Sequence, residues 1–227
     1  MSRQSTPILT FALLFLCAAA WTQDAIVPTR KEPLHVPKLE NEFIRVLNVV
    51  IPPGKATLFH EHTLDFVALF VQGANLKNET PDGASAFPTL KTGLVAYNDY
   101  AAKPYIHRVT NLSDNPFWVV GSEILIPQPG KFQASNREAP YKVEIDNARV
   151  RVWRLILEPG QSAPTVTQAA PGLRVSLSDS KIVEQVAGRD QEVSLKKGEF
   201  IWQPQGSTRS LRHTGDNAIE LVEYELK

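Results

Sequence analysis

The stretch NEFIRVLNVVIPPGKA, Asn41 to Ala56, returns 106 residues later as NARVRVWRLILEPGQS, Asn147 to Ser162. Both place a long run of Val, Ile and Leu before a Pro-Gly turn, and Asn, Arg, Val, Pro and Gly recur at matching places. Working outward, LKTGLVAY from Leu90 matches LKKGEFIW from Leu195 at an offset of 105. HRVTNLSDNPFWVVGSEI from His107 matches RSLRHTGDNAIELVEYEL from Arg209 at an offset of 102. Three matches in one order identify a tandem duplication.

Each copy reads as β structure. Phe43 to Ile51, Phe66 to Gln72, Arg149 to Leu157 and Ala218 to Leu226 are rich in β-branched, Leu and aromatic residues, with period-two alternation in places. Gly, Pro, Asn and Asp punctuate them, as in IPPGK, NETPDGAS, NLSDNP, LEPGQ and TGDN. No segment sustains an apolar period of 3.6 residues, so little helix is expected. The punctuation suits barrels, sandwiches or jelly rolls, with PQPGKFQASNREAP, residues 127–140, as the linker between copies.

The chain has 227 residues, 43% hydrophobic and 21% charged, with a formal net charge of zero. That composition is globular, and without a Lys/Arg-rich run neither nucleic acid nor an anionic membrane surface is an expected partner. Residues 1–20, MSRQSTPILTFALLFLCAAA, have the plan of an export signal: basic Arg3, an apolar run from Ile8 to Cys17, then small residues. The apolar run falls short of the roughly 20 residues of a membrane span, so a periplasmic or secreted protein with no stable span after processing is expected. An uncleaved anchor is the alternative. The only cysteine, Cys17, lies within that signal. The mature chain then has no disulfide and no thiolate ligand. G-x-S-x-G and Gly-rich phosphate loops are absent from the sequence, which leaves histidine and carboxylate as the reactive groups.

Two of the five histidines, His60 and His62, are one residue apart in PPGKATLFHEHTLDFVALFVQG, Pro52 to Gly73. On a strand, i and i+2 share a face, so the pair would present two imidazoles together with Glu61 turned away. Such a pair suits adjacent positions around Fe, Mn, Ni, Cu or Zn. Five histidines placed at random would yield H-x-H roughly one time in ten, so the pair alone does not distinguish a metal site from two exposed strand histidines.

The surroundings do more. Gly54, five residues, His60, Glu61, His62 and later Gly73 resemble the first motif of the cupin superfamily, G-x5-H-x-H-x3,4-E-x6-G. HRVTN, His107 to Asn111, resembles the H-x3-N of its second motif. With the duplication, the chain resembles a bicupin from about Glu40 to Lys227. The resemblance implies an all-β protein of two tandem cupin-type jelly-roll (double-stranded β-helix) barrels. The N-terminal barrel would span 34–128, and the C-terminal one 141–227. It also implies one divalent transition metal held by His60, His62 and His107 in the first barrel.

Two departures stand out. Phe66 occupies the place of the family's glutamate ligand, seven residues before Gly73. Asp65, beside it, is open to three readings: a ligand from the loop end, a residue fixing a histidine tautomer, or a solvated turn aspartate. AAKPYIH also lacks the motif's P-x-G. A neutral three-histidine centre remains, as in cupins resembling the thiol and diketone dioxygenases.

In the second copy His60, His62 and His107 map to Val166, Gln168 and Arg209, so that barrel is expected to be degenerate and metal-free, a structural or dimerising partner that leaves a homodimer open. His213 maps to Asn111 and reads as an ordinary polar residue. His35, in EPLHVPK, reads as exposed and without a role. Trp118, Trp153 and Trp202 read as core aromatics. Tyr97, Tyr100 and Tyr105 read as packing residues near a pocket mouth. The expected function is a metal-dependent oxygenase or isomerase, of dioxygenase type in the first case, acting on a small organic molecule. A non-catalytic binder of a small ligand or metal is the alternative.

Overall fold

The computed structural model describes residues 25–227; the export signal expected over 1–20 lies outside the described residues. The first copy comprises β1 (Val27–Pro28), β2 (His35–Glu40), β3 (Ile44–Ile51), β4 (His60–His62), β5 (Phe66–Gln72), β6 (Ala74–Glu79), β7 (Ser85–Ala86), β8 (Thr89–Leu90), β9 (Val95–Asn98), β10 (Tyr105–Asn111) and β11 (Phe117–Ile124). The second comprises β12 (Lys142–Asp146), β13 (Val150–Leu157), β14 (Ser162–Thr167), β15 (Gly172–Ser176), β16 (Ser180–Val186), β17 (Arg189–Leu195), β18 (Phe200–Gln203), β19 (Thr208–His213) and β20 (Ile219–Leu226). Among the described residues the helical structure is one 3-10 turn, Thr29–Lys31, and no helix is long and apolar enough to cross a membrane.

Each copy is two sheets closed over a core. In the first, β2-β3-β11-β5-β9 faces β1-β4-β10-β6-β7, with β8 also on β6. In the second, β12-β13-β20-β15-β18 faces β14-β19-β16-β17. The duplication survives in register. Val49 pairs with Val119 as Leu155 pairs with Leu221, and Leu76 pairs with Asn111 as Ile182 pairs with His213.

Period-two alternation sets the layers. In β3, Leu47, Val49 and Ile51 join Phe66, Phe70 and Val119 in the first barrel's interior. Ile44 and Val46 turn the other way and pack with Val67, Leu69 and Val120 against Val152, Leu173, Val175 and Val222 of the second barrel. Sheets buried on both faces account for the unbroken apolar run of β5, of which every residue but Gln72 is buried. Each such buried Val, Leu or Ile contributes about 1.5–3 kcal/mol relative to exposure, so the two barrels form one packed body. Ser122 of β11 hydrogen-bonds the Tyr224 hydroxyl of β20 within that interface.

Trp153 is fully buried in the second barrel. Trp118 and Trp202 are partly buried beside the interface; Trp118 Nε1 donates to Asn48 Oδ1 at 2.6 Å, and Trp202 stacks on Phe43.

Candidate metal centre

β4 is three residues long, and its alternation is what matters: His60 and His62 are buried, while Glu61 between them is not. β10 runs antiparallel to β4 and places His107 directly opposite His60. The ligand-type atoms of His60, His62 and His107 all lie within 4.8 Å of one another, and no second such group occurs among the described residues.

Their protons are directed by what surrounds them. His60 Nδ1 lies 2.9 Å from Leu58 O, and His107 Nδ1 lies 2.9 Å from Asn78 Oδ1. Both acceptors need an N–H, so each ring is protonated at Nδ1 and carries its lone pair on Nε2. Asn78 is oriented in turn because its Nδ2 donates to Tyr105 Oη at 3.0 Å. His107 Nε2 faces His62 Nε2 at 3.2 Å, and His62 Nδ1 is buried without a partner. Converging lone pairs with an orphaned nitrogen are what a shared cation would satisfy, so the donor set fits a divalent transition metal.

Burial also keeps the rings neutral. It lowers the pKa of His62 to about 2 and of His107 to about 3, with the neighbouring histidines adding to the effect, and it lowers His60 as well. Neutral imidazole is the form that ligates.

A fourth histidine stands beside the three. His35, on β2, is 6% exposed rather than solvated, and its ring meets His60 edge-on with centroids 4.5 Å apart. β1 pairs in parallel with β4, and Thr29 Oγ1 donates to Glu61 O at 2.6 Å, so the N-terminal segment lies across the site. His35 Nδ1 then sits 3.2 Å from Thr29 O. Burial and the nearby His60 lower its pKa to about 3. Nearby Glu32 accepts from Leu34 N and Leu58 N, and burial raises its pKa. Nothing in EPLHVPK announces this, because the burial comes from strands distant in sequence.

Asp65 has none of its three expected roles. β5 begins at Phe66, whose side chain takes the inward face, so Asp65 turns to the other barrel. There its Oδ2 accepts from Arg149 Nε at 2.5 Å in a buried ion pair. Phe66 sits with its ring centroid 5.1 Å from that of His62, in the space expected for a glutamate ligand. Gly121 makes that possible: a Cβ there would lie 2.3 Å from Phe66 Cζ.

The histidines open into a cavity of about 320 Å³ within the first barrel. Tyr100 and Tyr105 line it rather than only packing near its mouth, stacked at 5.8 Å with an 11° tilt. Tyr100 lies 4.8 Å from the His62 ring and Tyr105 4.8 Å from that of His107. Burial, then the neighbouring Tyr105, raises the Tyr100 pKa to about 12. Tyr97 packs at the interface between barrels.

The second barrel fills the equivalent space with charge. Val166 pairs with Arg209 just as His60 pairs with His107. Arg209 donates to Gln168 Oε1 at 3.1 Å and to Glu223 Oε2 at 3.0 Å, while Arg174 Nε donates to Glu223 Oε1 at 2.6 Å. Arg137, from the segment between the copies, reaches Glu223 and Glu225 and lies 4.0 Å over the Trp153 ring. Burial favours a neutral Glu223, but the guanidiniums of Arg174, Arg209 and Arg137 hold its pKa well below the usual range. Guanidinium groups thus occupy the place where the first barrel has its histidines. His213 is structural, with Nε2 2.7 Å from Asn217 O and Nδ1 3.0 Å from Lys181 O.

No protein-family model matches the chain. No curated protein matches it either. Solved structures do. A salicylate 1,2-dioxygenase variant from Pseudoaminobacter salicylatoxidans, in complex with gentisate, superposes over 81% of this chain and 69% of its own, with a TM-score of 0.59 and 11% identity. AerE from Microcystis aeruginosa covers 86% and 98%, with a TM-score of 0.56 and 12% identity. A cupin 2 conserved barrel domain protein from Leptotrichia buccalis covers 84% and 87%, with a TM-score of 0.54 and 11% identity. These likenesses agree with the repeated sheets and the histidine-bearing interior: the chain has the cupin fold, built as two tandem barrels, with its histidine cluster in the first.

Proposed function

We propose that His60, His62 and His107 hold one divalent transition metal through Nε2, and that the protein is an exported metal-dependent oxygenase or isomerase of a small organic molecule. The carrying observation is the convergence of three neutral imidazoles, two with Nδ1 protons directed to Leu58 O and Asn78 Oδ1, at the wall of a largely apolar cavity. Such a metal supplies Lewis acidity or redox chemistry at positions the protein leaves open. The chain's own residues orient the rings, through Asn78 and the Leu58 carbonyl, and exclude water through the surrounding Leu, Val and Phe side chains. The solved dioxygenase bound to gentisate supports small-molecule chemistry on this fold.

Export rests on the composition of residues 1–20. Among the described residues no Asp or Glu lines the cavity to act as a general base, which favours a non-catalytic small-ligand or metal binder as the second reading. Turnover separates the two. The metal-loaded protein is incubated with small diketones, thiols and phenolics while O2 consumption and product isomers are followed. Metal-dependent conversion supports the enzyme, whereas a compound that raises the Tm without being converted supports the binder.

A further inference from the structure

The cavity wall carries no formally charged side chain. Leu76, Leu90, Leu94, Phe70 and Phe117 form much of it, and among the described residues no Lys, Arg, Asp or Glu lines it. Two nearby carboxylates have partners: Asp65 pairs with Arg149, and Glu32 accepts from the Leu34 and Leu58 amides with its Oε2 3.9 Å from His35 Nε2. Three neutral histidines bring no negative charge to a divalent ion. A buried cation without a counter-charge is costly, and an anionic donor on the bound molecule would offset that cost. A second charge on the same molecule would meet no side chain of opposite charge in that wall and would lose hydration without a charged partner.

We infer that the first barrel selects molecules with a single anionic oxygen head, which faces the three histidines, and an otherwise uncharged, flat, apolar body. This rests on the metal reading above. The stacked Tyr100 and Tyr105 beside the histidines offer ring surfaces to a planar body. About 320 Å³ is the space of roughly ten water molecules at about 30 Å³ each, which suits a one-ring compound. Acids that carry a second anionic group remote from the head are excluded by charge before size.

The test is isothermal titration of the full chain loaded with zinc, which has no redox activity, so that binding is read without turnover. Three probes separate the terms: 4-nitrobenzoate, with one anionic head; terephthalate, with the same number of non-hydrogen atoms and a second charge; and 4-nitrotoluene, with no anionic head. The expected result is 4-nitrobenzoate binding at least tenfold tighter than either, with that preference lost when zinc is withheld. Terephthalate binding as tightly would overturn the charge-free wall. Equal binding of 4-nitrobenzoate with and without zinc would overturn the placement of its head. Failure of the chain to take up zinc, read separately by metal analysis, would overturn the metal reading and this inference together.

Discussion

Asp65 of the first barrel and Arg149 of the second form a buried ion pair, 2.5 Å between Oδ2 and Nε, which ties the histidine barrel to its neighbour. Arg149 Nη2 also donates to Ile126 O at 2.6 Å, so the guanidinium bridges both copies. Removing the carboxylate strands a buried cation, a loss of about 3–5 kcal/mol. Asp65→Ala is therefore expected to lower the denaturation midpoint markedly while metal content per folded chain stays at the wild-type level. Loss of metal with unchanged stability would return Asp65 to the metal site.

Asn78 connects His107 to Tyr105 by two hydrogen bonds. Asn78→Ala removes the acceptor that directs the His107 proton, and partners of this kind are worth about 10–100-fold in metal affinity. A competition titration against a coloured chelator is expected to show a weakening in that range, with the fold intact by circular dichroism. Unchanged affinity would mean that His107 is oriented by packing alone.

The buried imidazoles predict a pH dependence in the metal-free protein. His35, His62 and His107 have folded pKa values of about 3, 2 and 3, below their ordinary value of 6.5. Between those limits the unfolded chain binds more protons than the folded one, so stability rises with pH across the window and falls as pH drops below 6.5. Each group contributes at most about 1.4 kcal/mol per pH unit. Urea midpoints from pH 7.5 to 4.5 are expected to fall steeply below 6.5, and less steeply in a His62→Gln/His107→Gln variant. Parallel profiles would show that the rings are not held neutral.

In the second barrel, Arg137 is expected to be purely structural. Its side chain is fully buried between Glu223 and Glu225. Arg137→Ala leaves those carboxylates short of a partner and uncovers Trp153, so a loss of about 3–5 kcal/mol is expected, with metal content of the folded protein unchanged. Stability within 1 kcal/mol of wild type, by the same standard of buried pairs, would mean that Arg174 and Arg209 suffice.

The duplication and the strands are legible in repeat offsets and alternation, and the pairing of His60 with His62 in H-x-H spacing, whereas the addition of His107 rests on the resemblance of HRVTN to the second cupin motif. The strand edges moved by a residue at most, as where Phe43 to Ile51 became Ile44–Ile51. What escaped depends on partners far along the chain. His35 lies in the short segment EPLHVPK yet its buried ring packs against those of His60 and His62, and Asp65 finds its cation 84 residues away. The side-chain parity of β5 did hold the clue that Asp65 faces away from Phe66. It could not say that an arginine waited there. Tyr100 and Tyr105 read as packing residues from the sequence because ring packing and cavity lining use the same residue type; only the empty volume beside them separates the two.

The most direct test of the central claim is metal analysis of the full chain purified beside a His60→Ala/His62→Ala variant of equal helix-free circular dichroism. The wild type is expected to carry close to one equivalent of a divalent transition metal and the variant almost none. Equal metal in both, or none in a wild type offered Fe, Mn, Ni, Cu and Zn in turn, would contradict it.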